Sequence, residues 1–137
     1  FPGKVEAGVT NLETGKAEYL EVPRRDDSFL LLQATCAMPL MFPVYRLGGK
    51  PYLDGGAAET VPYPRAFEMG CDRAIVILTK PRSFVRKREK LVLVLAPEDL
   101  RGVSRIERDV EKLRLLWADG YQQGMERMEE IRSFMGR

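Results

Sequence analysis

One carboxylate in this chain stands where it could move a proton. Asp54 is followed by Gly55 and Gly56 at the centre of residues 34–62, a stretch dense in proline and glycine. Glycines beside a carboxylate let another backbone approach closely and leave the acid exposed. Asp54 could then take the proton of a serine hydroxyl as a general base, at a heavy-atom distance of about 2.6–3.2 Å. The plainer reading is a turn, in which the Asp side chain bonds nearby N–H groups and glycine tolerates a positive φ. Taken alone, the three residues favour the turn.

A general base needs a nucleophile, and the chain offers Ser28, Ser83, Ser104 and Ser133. None lies in Gly-x-Ser-x-Gly, the strand-to-helix elbow that projects a catalytic serine. Gly102-Val103-Ser104-Arg105-Ile106 matches half of that pattern. With Glu107 three residues on, Ser104 reads instead as a helix N-cap in a capping box. Ser28 reads as a cap and Ser83 as a loop residue, so no nucleophile is expected within these residues.

The chain has no histidine. A Ser-His-Asp triad, a Cys-His pair and a His-bearing metal site are therefore excluded for it. Cys36 and Cys71 are too few for a zinc site and lie in apolar surroundings, which predicts buried free thiols in a reducing compartment. No metal or cofactor is implied. The 22 basic and 20 acidic residues leave a net charge of +2. That balance gives no reason to expect nucleic-acid binding. No apolar run approaches the ~20 residues of a membrane span, and the expectation is a soluble, cytoplasmic protein. The 137 residues, 45% of them hydrophobic, are one domain's worth of material. The chain starts at Phe1 and enters a strand pattern directly, which predicts a piece of a longer polypeptide.

Asp54 has to be positioned by its neighbours. Residues 4–10 and 17–22 flank a turn-rich 11–16 and predict a hairpin, with Gly15 at positive φ. Asp27 or Ser28 could cap a helix running to Cys36, apolar on nearly all sides and so expected to be buried, with Pro39 stopping it. Gly48-Gly49 predicts a two-residue hairpin turn between 44–47 and 51–53, and that hairpin delivers Asp54 at its far end. Residues 62–70 predict a short helix with Gly70 as its C-terminal cap and Ala66, Phe67 and Met69 facing inward. The β-branched runs 74–79 and 91–95 predict strands buried on both faces of a parallel sheet, an α/β signature.

Residues 80–90 hold six basic side chains and one acidic. Such a run is usually a solvated loop. The sharper reading is a patch for anionic lipid or an acidic partner, built from Arg82, Arg86, Lys87 and Arg88 with Phe84 as an apolar anchor. From Ile106, the residues Val110, Leu113, Leu116 and Trp117 fall at helical spacing, and Gly120 is expected to close that helix. Tyr121, Met125, Met128, Ile131 and Met135 repeat the stripe in a second helix. Both stripes are read as core, with a partner-binding surface as the alternative.

The order of these motifs is more specific than any one of them. Residues 34–39 (Ala-Thr-Cys-Ala-Met-Pro), Phe42-Pro43, Gly49, Tyr52-Leu53-Asp54-Gly55-Gly56, Pro62, Ala66, the turn 68–72 and the strand 75–78 together resemble the C-terminal half of patatin-like phospholipases. The Val9 to Glu18 hairpin, with its Thr10 to Gly15 turn, resembles the strand pair that precedes the family's Ala-Ser-x-x-x-Pro segment. Leu78-Thr79-Lys80-Pro81 and the closing helices resemble a bacterial subgroup. The resemblance implies a partial patatin-like α/β/α sandwich. Residues 1–105 would be the C-terminal portion of a mostly parallel sheet with flanking helices, and 106–137 a helical pair packed on it. It also implies a lipid acyl hydrolase with a Ser-Asp dyad that needs no histidine. Asp54 would be its base, and Gly55 and Gly56 would shape the turn, with the nucleophile and oxyanion loop in the first half of the family's domain. The fragment alone would then be inactive. Thr60 stands where the family often has Asn, and Thr35 where it usually has Ser. A non-catalytic patatin-like module that binds a protein partner or membrane surface is the alternative. Exposed edges of a truncated sheet predict self-association.

Overall fold

The computed structural model describes residues 3–23, 29–80, 91–104 and 106–136. The expected cap at Asp27 or Ser28 and the basic patch at Arg82, Phe84, Arg86, Lys87 and Arg88 lie outside them. The chain divides into two compact units, Phe1–Pro62 and Tyr63–Arg137.

The first unit is built on two hairpins. β1 (Glu6–Asn11) and β2 (Ala17–Glu21) pair antiparallel, Glu6 opposite Glu21 and Thr10 opposite Ala17. Their turn closes through the Gly15 N–H to the Asn11 carbonyl at 2.8 Å, with Gly15 at φ 67°. The Asn11 side-chain oxygen accepts from the Glu13 N–H at 2.8 Å, a local bond typical of Asn in turns. β3 (Tyr45–Leu47) and β4 (Lys50–Asp54) flank Gly48 and Gly49, both at positive φ as a tight two-residue hairpin demands. The sheet order is β2-β1-β4-β3, antiparallel throughout, so β1 and β4 are central.

α1 (Leu30–Thr35) packs on β1, β3 and β4. Leu31 and Ala34 join Ala7, Val9 and Tyr52 in the core, where Val9 is wholly buried. Each large apolar side chain so buried contributes on the order of 1.5–3 kcal/mol. The helix is not buried all round as its composition predicted, because Leu30 and Leu32 are exposed. A six-residue helix on one sheet face has only one side to hide. Cys36, expected inside, caps the helix end and is exposed, and Cys71 is exposed just past Gly70.

In the second unit α2 (Tyr63–Glu68) ends at Gly70, φ 87°, as the Gly cap predicted, while Met69 is exposed instead of inward. β5 (Ala74–Ile77) and β6 (Val92–Leu95) pair in parallel with Ala74 opposite Val92. The mixed α/β class is thus present, with the antiparallel strands in one unit and the parallel pair in the other. β5 is covered on one face: Ala74 and Val76 are buried, whereas Ile77 is 76% exposed.

α3 (Val110–Glu126) runs straight through Gly120, which sequence reading took as a stop, and breaks at Arg127 before α4 (Met128–Met135). An interior glycine costs helix stability but still forms both main-chain bonds. A glycine caps a helix end where it turns left-handed, as Gly136 does at φ 70° after α4, and Gly120 has no positive φ. The cap is Asp109, not Ser104: its carboxylate accepts from the N–H groups of Glu111 and Lys112. Neither helix buries a residue completely, and Trp117 stacks on Tyr121 at the surface. The stripe read as core is therefore mostly exposed.

Candidate active site

Asp54 is the last residue of β4, and three elements hold it. β1 lies alongside with Val9 opposite Asp54 and Thr10 opposite Leu53. The chain leaving α1 supplies the Ala37 carbonyl, which accepts from the Asp54 N–H at 3.0 Å. Beyond it, residues Gly55–Ala57 form a single 3-10 turn for which Asp54 is the N-cap. Its Oδ1 accepts from the Gly56 N–H at 2.7 Å, which ties the carboxylate to its own turn. Among the described residues Oδ2 has no hydrogen-bond partner. One oxygen fixed and one open is the arrangement a base needs to receive a proton without swinging.

The two glycines act by close approach. Neither has a positive φ. Gly55 is buried against β1, where a Cβ would fall 2.3 Å from the Gly8 carbonyl oxygen. At Gly56 a Cβ would come 3.1 Å from Asp54 Oδ1, so the absence of a side chain leaves room for the carboxylate. The turn continues through Glu59 N–H to the Gly55 carbonyl at 2.9 Å and Thr60 Oγ1 to the Gly56 carbonyl at 3.3 Å. Thr60 thus bonds within the turn although it stands where the patatin pattern often has Asn. Glu59 accepts from the Tyr19 hydroxyl on β2.

Residues 6–67 match the family model described as patatin-like phospholipase. The chain carries part of a patatin-like domain. Residues 84–136 match a second model, described as a domain of unknown function, DUF6363. No curated protein matches the sequence significantly. The patatin-like segment contains β1 to β4, α1 and the whole Asp54 turn, so the antiparallel unit coincides with the family's part of the chain.

Two residues that hold the Asp54 turn were not singled out from sequence. Gly8 offers the carbonyl against which Gly55 rests, and a glycine inside a strand was the available signal for such an approach. Thr10, which resembles any strand threonine, donates to the Asp54 carbonyl at 2.7 Å and accepts from the Ala58 N–H at 3.1 Å. Thr35, noted in the sequence where the patatin pattern usually has Ser, donates to the Gly8 carbonyl. Behind the turn lies a polar cluster: the Tyr52 hydroxyl and the Asn11 amide each donate to Glu18 at 2.6 Å, and Lys50 stands 3.9 Å from the same carboxylate. Burial, and next the Glu18 carboxylate, push the Tyr52 hydroxyl up to about 12. The Tyr52 and Asn11 donors in turn hold Glu18 below its ordinary value.

Ser104 and Ser133 belong to the other unit and are exposed, while Ser28 and Ser83 lie outside the described residues. Among the described residues no group of three or more His, Cys, Asp and Glu side chains could hold a metal ion, and no helix is long and apolar enough to cross a membrane.

Proposed function

We propose that this chain is the general-base portion of a patatin-like serine acyl hydrolase acting on lipid esters. Asp54 accepts the proton of a serine supplied from outside these 137 residues. The serine oxygen adds to the ester carbonyl, the tetrahedral intermediate expels the alcohol with the returned proton, and water activated by Asp54 then releases the fatty acid. The observation that carries this reading is the half-engaged carboxylate: Oδ1 anchored at 2.7 Å by Gly56, Oδ2 open. The family match over residues 6–67 supports the reaction class. Without nucleophile and oxyanion donors the 137-residue chain alone is inactive, since those groups contribute most to acyl transfer. Two unpaired thiols suit a reducing cytoplasm.

The test compares hydrolysis of a short-chain nitrophenyl ester and a fluorogenic phospholipid by three proteins. They are this chain alone, a polypeptide joining it to an upstream Gly-x-Ser-x-Gly segment, and that polypeptide with Asp54→Asn. Turnover is expected only in the second, with a loss of at least about a hundredfold in the variant. Turnover by the chain alone, or an unimpaired variant, overturns the reading.

The exposed helix α3 favours a second reading, in which a non-catalytic module meets an anionic lipid surface. Trp117 is 71% exposed and stacked on Tyr121, and the sequence adds the basic run with Arg82, Arg86, Lys87 and Arg88. Trp117 is the sole tryptophan, so its emission reports this surface alone. A blue shift with anionic but not neutral vesicles supports peripheral contact, and no shift with either removes it.

A further inference from the structure

We propose that Thr10 is a positioning residue for Asp54, a role whose catalytic consequence rests on the general-base reading above. The β1–β4 ladder ends at the Val9–Asp54 pair, and the Asp54 carbonyl and the Ala58 N–H then lie on either side of the 3-10 turn. Thr10 is 6% exposed, and its hydroxyl spans the two. A hydroxyl has one proton. That proton goes to the Asp54 carbonyl at 2.7 Å, and a lone pair shares the Ala58 N–H, at 3.1 Å, with the Gly55 carbonyl at 3.2 Å. One side chain on β1 therefore closes residues 54–58 onto the sheet where main-chain pairing has run out.

The carboxylate depends on that closure. Its Oδ1 is held by the Gly56 N–H, which sits inside the closed segment. Without the hydroxyl the Asp54 carbonyl loses this donor and the Ala58 N–H keeps only the Gly55 carbonyl inside its own turn, so past the Val9–Asp54 pair the segment loses its tie to Thr10 and the group that aims the acid loosens. A valine would fill the same buried space and suit a strand equally well, so burial alone does not explain a hydroxyl whose donor and acceptor are both used. Thr35 acts on the adjoining step, donating to the Gly8 carbonyl on which Gly55 rests. Catalytic groups must be held to within about 0.5 Å, and a displacement of about 1 Å costs on the order of a hundredfold in rate.

Thr10→Val and Thr10→Ser test the role in two independent ways. In this chain, amide hydrogen exchange is read by NMR. Thr10→Val is expected to speed exchange at Gly56 and Ala58 at least about tenfold. Val22, bonded to Val5 at the far end of the hairpin, should change less than about twofold. Thr10→Ser should restore the wild-type pattern. In the polypeptide that supplies the serine, Thr10→Val should lower kcat by about ten- to a hundredfold with KM nearly unchanged, and Thr10→Ser should recover most of it. Unchanged exchange at Gly56 and Ala58, equal acceleration across the hairpin, or failure of serine to rescue overturns the proposal. Should the exchange result hold while Asp54→Asn remains active, the general-base reading fails and the clamp on the turn stands.

Discussion

A side chain on Gly55 would put its Cβ 2.3 Å from the carbonyl oxygen of Gly8 and 2.6 Å from its carbonyl carbon. Backbone meets backbone there, between β1 and the residue after Asp54, and neither strand can yield without breaking the ladder that pairs Val9 with Asp54. The glycine directly after Asp54 is thus a packing requirement.

Gly55→Ala is therefore expected to cost about 3 kcal/mol in urea unfolding, near the upper end for overpacking of a tight site. Gly56→Ala meets only the movable Asp54 carboxylate at 3.1 Å. It should cost less than about 1 kcal/mol while turning that carboxylate from its place. Equal stabilities for the two variants would contradict the Gly8 contact.

Tyr52 makes stability fall at high pH. Its hydroxyl has an ordinary value of 10.0 and is pushed up to about 12 by burial first and Glu18 second, so the folded chain keeps a proton that the unfolded chain gives up. That contribution is fully present below pH 10 and is lost as pH rises through 12. Glu18 works at the other end. Its depressed value gives stability present above the ordinary carboxylate pKa and lost as pH falls through the lower folded one. Tyr52→Phe should cost about 1 kcal/mol at neutral pH. It should also flatten the decline between pH 10 and 12, read from denaturant midpoints across that range. A variant that keeps the wild-type decline assigns it to another group.

Gly120→Ala should raise the melting temperature. The position lies inside α3, without positive φ, and a Cβ there meets nothing within 4 Å. Alanine then adds about 0.5–1 kcal/mol by its helix preference. Circular dichroism melts check it, and a lower melting temperature would mean that the helix does not continue through this residue.

The chain is expected to self-associate. β2 and β3 are sheet edges, the parallel pair β5–β6 has an edge on each side among the described residues, and Ile77 is 76% exposed on it. Elution in gel filtration should shift with concentration, and Ile77→Lys should weaken the shift by placing charge on an open strand. A clean monomer at all concentrations would count against this.

How far the fold was legible depends on how local its causes are. Gly15 and Gly48-Gly49 announced their hairpins because a positive φ is a property of one residue. Gly70 marked the end of α2 for the same reason. Gly120 misled because helix termination depends on the residues that follow as well as on the glycine. Ser104 misled because Asp109, a charged acceptor five residues later, stands directly before the helix proper. The inward placement of Cys36, Met69 and both faces of α1 failed because hydrophobicity says that a side chain prefers burial and not that a surface exists to bury it.

The order of motifs from Ala34 to Leu78 determined by itself the patatin-like kinship and the delivery of Asp54 by a hairpin, since both follow from spacing along one chain. Histidine's absence likewise removed whole classes of chemistry without reference to any fold. Tertiary structure alone decided that β1 lies beside β4 and that Gly55 rests on Gly8. It alone brought the hydroxyl of Thr10, 44 residues from Asp54, to that residue's carbonyl. Pairing across such a distance is chosen by the free energy of the whole packed unit, and no local preference in the sequence encodes it.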